Sequence, residues 1–154
     1  MGAEIERKFR VDDVPDDLTG PGNRLRQGYV ALDGPAEVRI RIADDGASLT
    51  VKSGAGLSRV EVEVAVSQEQ ADELWLFSEG RRVEKTRHRI PIGDGLIAEL
   101  DRYDGPLTGL CTVEVEFVDE ARAHAFVAPS WFGDELTGHE GWSNAALAIH
   151  GLPA

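Results

Sequence analysis

Only one cysteine, Cys111, occurs in the 154 residues, so no internal disulfide can form; this suits a reducing compartment. No apolar run reaches the roughly 18 residues a membrane-spanning helix needs, and no membrane partner is expected. No apolar leader precedes the first charged segment, so a cytoplasmic protein is expected. Basic residues are scarce: 16 Lys and Arg stand against 28 Asp and Glu, a net charge of −12. A chain so acidic repels nucleic-acid backbones and anionic membranes, and no nucleic-acid partner is expected. A local basic pocket is still permitted. The four histidines are scattered, which argues against a zinc site. Gly54-Ala55-Gly56 is not continued into a Walker motif and reads as a hairpin turn. Ser58 and Ser143 have no base at a recognisable spacing. Trp75, Phe77, Trp131, Phe132 and Trp142 read as helix and loop packing.

What is present is a series of short strands divided by turn residues, with no long linker or solenoid repeat. Strands are expected over about Glu4–Val11, Arg24–Leu32, Glu37–Ala43, Ser48–Ser53 and Ser58–Val66. Asp44-Asp45-Gly46 marks a hairpin between the third and fourth. Ser67 followed by Gln70 reads as a capping box opening a helix, with Leu74, Leu76 and Phe77 on its apolar side and Gly80 near its stop. Strands resume at Arg82–Ile92, Leu96–Tyr103 and Thr112–Val118. Asp119 then caps a helix to about Ala128, which Pro129 ends. Ser143 caps a last short helix, Asn144–His150. Eight strands mostly in hairpins, with two or three helices, give an antiparallel α+β protein, read as one domain over residues 1–154. Closing eight strands into a barrel removes the edges and leaves room for a small ligand.

The alternation within these strands runs against an ordinary core. Successive strand residues face opposite ways. Glu4, Glu6 and Lys8 therefore share a face. So do Glu37, Arg39 and Arg41, opposite Val38, Ile40 and Ile42. Thr50 and Lys52 oppose Leu49 and Val51; Arg59, Glu61 and Glu63 oppose Val60, Val62 and Val64. Lys85, Arg87 and Arg89 share a face, as do Glu99 with Asp101 and Glu114 with Glu116. The plainest account is a sheet with its charged face in water. Two features favour another. Like charges recur as i, i+2 pairs, about 7 Å apart on one face, where they repel. The few amphipathic helices also need an apolar sheet surface. If they take the outer face, the charged face points into the barrel.

A charged interior is tolerable when it is wet and serves a ligand. Paired carboxylates are hard oxygen donors for Mg²⁺ or Mn²⁺. Basic pairs suit a chain of phosphates, Arg as a fork and Lys as a point charge.

Glu4-Ile5-Glu6-Arg7-Lys8 also resembles the E-x-E-x-K signature of the CYTH, or triphosphate tunnel metalloenzyme, family. Further elements follow in the family's order: Arg39-Ile40-Arg41, Lys52, Glu61-Val62-Glu63, Lys85-Thr86-Arg87, Asp101 and Glu114-Val115-Glu116. The resemblance implies a closed eight-stranded antiparallel barrel with a charged tunnel. Arg26-Gln27-Gly28-Tyr29, Glu79 through Arg87 and Trp131-Phe132-Gly133 are similar to the short bacterial members that hydrolyse inorganic tripolyphosphate. In this light Lys8, Arg39, Arg41, Lys52, Arg59, Lys85 and Arg87 would grip the phosphates. Glu4, Glu6, Glu61, Glu63, Asp101, Glu114 and Glu116 would supply metal ligands. The resemblance further implies a Lys85–Tyr29 pair near the attacking water; Gly28 could mark a bulge that re-aims Tyr29. Glu99 reads as a rim charge. In one respect the chain departs from the family: many members carry a tunnel-facing lysine on the last helix, and Ser143–Ala148 has none.

The expected activity is metal-dependent hydrolysis of tripolyphosphate to pyrophosphate and phosphate. The alternatives are an organic triphosphate (thiamine triphosphate, or ATP with cyclisation), or a polyphosphate- or nucleotide-binding barrel without turnover. An organic moiety needs an aromatic cluster on the charged face, and none is evident. Pure anion binding does not need seven carboxylates. A lipid-binding barrel needs an apolar interior, which the charged alternation contradicts.

Overall fold

The computed structural model describes residues 2–154 except Thr19 and Ala55, so part of the Gly54-Ala55-Gly56 turn lies outside the described residues. Eight strands form a closed antiparallel barrel: β1 (Gly2–Arg10), β2 (Asn23–Asp33), β3 (Ala36–Ala43), β4 (Gly46–Ser53), β5 (Ser58–Val66), β6 (Arg82–Gly93), β7 (Leu96–Tyr103) and β8 (Cys111–Glu116). Their order around the wall is β1-β5-β4-β3-β2-β6-β7-β8. Three helices accompany them: α1 (Gln68–Leu76), α2 (Glu120–Ala125) and α3 (Asn144–His150).

The turn chemistry explains the hairpins. Between β3 and β4 the chain turns at Asp44-Asp45, with Ala43 opposite Gly46. Between β6 and β7, Asp94 and Gly95 take φ of 55° and 74°. Two consecutive positive φ values suit the right-handed twist of a tight hairpin, and Asp-Gly tolerates them. The bulge in β2 lies between Tyr29 and Ala31, not at Gly28. Gly28 pairs regularly with Ile40 and Arg82, and its purpose is space. A Cβ there would come within 2.2 Å of the Ser78 hydroxyl and 2.5 Å of Ser78 Cβ.

Two of the apolar cores lie outside the barrel wall. Ile90, Ala98, Leu100, Val113 and Val115 point outward and pack with Phe9, Phe117, Phe132 and Ala123 of α2. Phe9 and Phe132 meet at 5.1 Å between ring centroids. Ile40 and Ile42 of β3 are covered by α1 through Ala71, Leu74 and Trp75. A third cluster lies on the inner side, where Val83 and Tyr103 share strand faces with Lys85 and Asp101 and gather with Leu107 and Leu110 under Leu147 of α3.

The expected caps form. Ser67 and Gln70 make both bonds of a capping box. The Asp119 carboxylate accepts from Arg122 N–H, and the Ser143 hydroxyl from Ala146 N–H. Two helix readings change. The buried side of α1 is Ala71, Leu74 and Trp75, at i, i+3, i+4 spacing, whereas Leu76 and Phe77 stand 73% and 64% exposed. The α2 helix stops at Ala125, short of Ala128, because Phe126 is already extended with ψ 127°.

Candidate functional site: a charged tunnel

Every charged residue singled out by the alternation falls on the inner face of the barrel. Glu4, Glu6 and Lys8 of β1, Glu37, Arg39 and Arg41 of β3, Lys52 of β4, and Arg59, Glu61 and Glu63 of β5 line one cavity of about 820 Å³. Arg87 and Arg89 of β6, Glu99 of β7, and Glu114 and Glu116 of β8 complete the charged lining. The segment Leu136–Ala146, including Thr137, Trp142 and Asn144, together with Ile149, contributes a further wall.

Register explains the grouping. Glu6 pairs with Glu116, and Lys8 with Glu114, which in turn pairs with Glu99. Across β3, β4 and β5, Arg39, Thr50 and Glu63 share one row, and Glu37, Lys52 and Glu61 the next.

Most of the basic groups are held by acids. Lys52 Nζ lies 2.8 Å from Glu4 and 3.9 Å from Glu61. Arg59 meets Glu37 at 3.4 Å. Arg87 donates Nε and Nη2 to the two oxygens of Asp101 at 2.7 and 2.8 Å, and Glu99 bridges Arg87 and Arg89. Lys8 donates to the Trp142 carbonyl at 2.7 Å, with Glu114 at 4.0 Å. Among the described residues lining the cavity, Arg39 and Arg41 are the Arg and Lys side chains with no carboxylate within 4.0 Å. Burial pulls Arg41 down to about 10, and the positive charges of Arg39 and Arg87 push the same way.

The acidic groups divide in a complementary way. Burial raises Glu114, but Lys8, Arg87 and Lys85 outweigh it and hold the carboxyl well below the usual range. Lys52 likewise lowers Glu4, against the opposing effect of burial. Burial, Glu114 and Glu4 together push Glu6 well up. Burial and the neighbouring Glu4 raise Glu61 to about 7, and Glu116 rises through burial, Glu4 and Glu99. One stretch of wall therefore carries more negative charge than its cations balance. A divalent cation would relieve that imbalance, and the donor set is the hard oxygen type that Mg²⁺ or Mn²⁺ takes. Among the described residues, no three Asp, Glu, His or Cys side chains converge closely enough to hold a metal alone. Phosphate oxygens and water would complete the shell, as is usual for Mg²⁺.

A model of the CYTH domain matches residues 2–137. The chain belongs to the CYTH family. It is 44% identical over 147 residues to an inorganic triphosphatase of Nitrosomonas europaea, covering 95% of this chain and 97% of that protein. An inorganic triphosphatase of Acetivibrio thermocellus is 35% identical over 149 residues, covering 96% and 94%. A crystal structure of an inorganic triphosphatase superposes with a TM-score of 0.70 at 41% identity, covering 100% of this chain and 99% of that one. The triphosphate tunnel enzymes of the CYTH family are metal-dependent.

Three residues expected from the CYTH resemblance sit differently from the rest. Lys85 and Asp101 have no exposed surface and do not line the cavity. They form an ion pair at 2.6 Å beneath it. Burial draws the Lys85 ammonium down to about 7, with Asp101 opposing and Arg87 reinforcing. Asp101 stays below the ordinary carboxyl range because Arg87 and Lys85 overcome its burial. Tyr29 does line the cavity, on the same face of β2 as Leu25 and Gln27 by plain alternation, so no bulge is needed to aim it. Arg24 and Arg26 take the outer face, Arg26 over the Trp75 ring. Tyr29 pairs with Arg39 across the β2–β3 ladder, whereas Lys85 pairs with Leu25, four positions away, and no hydrogen bond joins Tyr29 to Lys85.

The charge pattern could not point to the neutral members of the site. Gln27 and Thr50, both fully buried, accept from Arg41 and Arg39. Trp142 lines the cavity as well as packing on the cluster under α3. The signal for Gln27 was its place between Leu25 and Tyr29 on one strand face. Trp142 follows no strand period and gave no such signal.

Proposed function

We propose that the chain hydrolyses inorganic tripolyphosphate to pyrophosphate and phosphate inside this tunnel, with Mg²⁺ or Mn²⁺, and that residues 1–154 act as one tunnel domain. The observation that supports it most is the division of charge: Arg39 and Arg41 lack acidic partners, while Glu6, Glu61 and Glu116 lack sufficient cations. A metal–polyphosphate complex carries both missing charges.

In this reading Arg39 and Arg41 take the phosphoryl oxygens, aided by Lys8, Lys52, Arg59 and Arg87. Lys8 would leave the Trp142 carbonyl, and Lys52 would share Glu4 with the substrate. Glu4, Glu6, Glu61, Glu63, Glu114 and Glu116 are the candidate metal ligands. The cation, when bound, supplies Lewis-acid stabilisation of phosphoryl charge. Asp101 serves as the counter-ion that holds Arg87 and Lys85, since both its oxygens are already engaged. Lys85 then acts through Asp101 and Arg87. Tyr29 remains a neutral phenol, because burial raises its pKa, and its unpartnered hydroxyl can orient a water or a phosphate oxygen. In-line attack by water forms one P–O bond as the bond to the leaving pyrophosphate breaks, and a proton is released.

One observation favours a second reading. The wall containing Trp142, Leu136, Ala145 and Ile149 is less polar than the rest and could receive the organic part of a triphosphate.

The deciding measurement is phosphate release from tripolyphosphate, ATP, thiamine triphosphate and pyrophosphate, each with Mg²⁺, Mn²⁺ or EDTA. Metal-dependent release from tripolyphosphate with little from ATP is expected. Binding of all triphosphates without turnover would overturn catalysis, and preference for an organic triphosphate would favour the second reading. Unchanged metal-dependent turnover in Glu116→Gln would remove the proposed metal wall.

A further inference from the structure

Two guanidiniums in the tunnel are gripped in the same fork geometry by different chemistry. Arg87 gives Nε and Nη2 to the carboxylate of Asp101. Arg41 gives Nε and Nη2 to a single neutral oxygen, Oε1 of Gln27, at 3.1 and 2.9 Å. Gln27 pairs directly with Arg41 across the β2–β3 ladder. Its side chain has no exposed surface and does not line the cavity, so a ligand in the tunnel cannot touch it. Arg41 does line the cavity.

A carboxylate at position 27 would make the stronger bond, because charge-assisted hydrogen bonds exceed neutral ones and Arg–carboxylate forks are strong. It would also stabilise a cation crowded by Arg39 and Arg87. An amide gives the same orientation with none of the charge. The guanidinium stays fixed, its remaining N–H groups stay available, and no carboxylate pairs with it within 4.0 Å, Asp101 and Glu114 acting on it only from a distance.

We propose that Gln27 is a positioning residue for anion capture: its amide oxygen aims Arg41 into the tunnel while leaving the full charge for a phosphate group. This rests on the reading of the cavity as a triphosphate site. Gln27→Glu should therefore move two properties in opposite directions. The free protein should melt at or above the wild-type temperature, because Arg41 gains a counter-ion. Affinity for tripolyphosphate should fall by about tenfold to a hundredfold, because that counter-ion competes with the ligand. A residue that only filled space would not produce this split.

The test is calorimetric titration of the protein with inorganic tripolyphosphate in EDTA, beside thermal melts and KM values with Mg²⁺, for wild type, Gln27→Glu, Gln27→Met and Arg41→Gln. The ratio of wild-type to Gln27→Glu affinity should shrink as pH falls and the introduced carboxyl protonates. Gln27→Met should weaken binding without that pH dependence. Gln27→Glu binding within twofold of wild type, while Arg41→Gln loses binding, would overturn the role of Gln27 alone. If Arg41→Gln also bound normally, the reading of the cavity would fall with it. Should Gln27→Glu not fold, Gln27→Met decides: a KM about tenfold higher at retained kcat supports the proposal, and an unchanged KM overturns it.

Discussion

Asp101 holds two cations on one buried carboxylate, and removing its charge should be costly. With Asp101→Asn, Arg87 of the tunnel lining loses its fork, and Lys85, buried beneath the tunnel, loses its counter-ion. Breaking a buried pair from one side typically costs about 3–5 kcal/mol. A clear drop in the urea midpoint is expected, and an unchanged midpoint would refute the bracing role. The sign of the pH effect follows from linkage. The folded pKa of Asp101 lies below its unfolded value near 3.9, so the unfolded chain binds the proton more readily at acid pH. The stabilisation is fully present above about pH 4–5 and is lost as pH falls through the folded value. The wild-type advantage over Asp101→Asn should narrow accordingly in acid unfolding curves.

At the scale of elements, α1 and β2 meet at Gly28. The turn after α1 brings Ser78 against the β2 backbone, and the Arg82 guanidinium stacks 4.4 Å from the Trp75 ring and donates to Ser78. Gly28→Ala should force that turn outward, at about 1–3 kcal/mol of overpacking. Because Gln27 and Tyr29 flank it, the same change should raise KM for tripolyphosphate. A melt and a KM indistinguishable from wild type would show that the turn yields freely. The caps of α1, α2 and α3 were legible in advance because capping is local: Ser67 and Gln70 need only their own backbone. The burial of α1 was not. Leu76 and Phe77 are as apolar as Leu74, and which of them turned inward depended on where Ile40 and Ile42 lay on a strand some thirty residues earlier.

For the whole molecule, the tunnel should couple ligand to stability. A ligand that binds only the folded barrel adds RT ln(1 + [L]/Kd), about 2.7 kcal/mol at a hundred times Kd. Tripolyphosphate with Mg²⁺ should therefore raise the melting temperature more than either alone, since each supplies the charge the other wall lacks. Absence of any shift at millimolar tripolyphosphate would show that the walls do not capture it. Along the sides of this barrel α1 covers β3, and α2 packs on the cluster around Phe9. Val60, Val62 and Val64 of β5 remain about half exposed. Among the described residues, no helix is long and apolar enough to cross a membrane.

The sequence by itself determined which charged strand residues point into the barrel. Alternation is a property of a single strand, and the charged positions of β1 and β3–β8 could be read one strand at a time. Closure of the barrel also followed from the pattern, since helices needed the apolar face and the charges needed the other. The tertiary structure alone decided which charge meets which. Glu4 reaches Lys52 across β1 and β4, and Asp101 reaches Arg87 and Lys85 across β6 and β7, pairings that depend on register and barrel stagger. It alone separated Lys85 and Asp101, sealed below, from residues of the same alternation that line the cavity. It also revealed Gln27, because a neutral side chain leaves no mark on a charge pattern until the guanidinium it holds is seen.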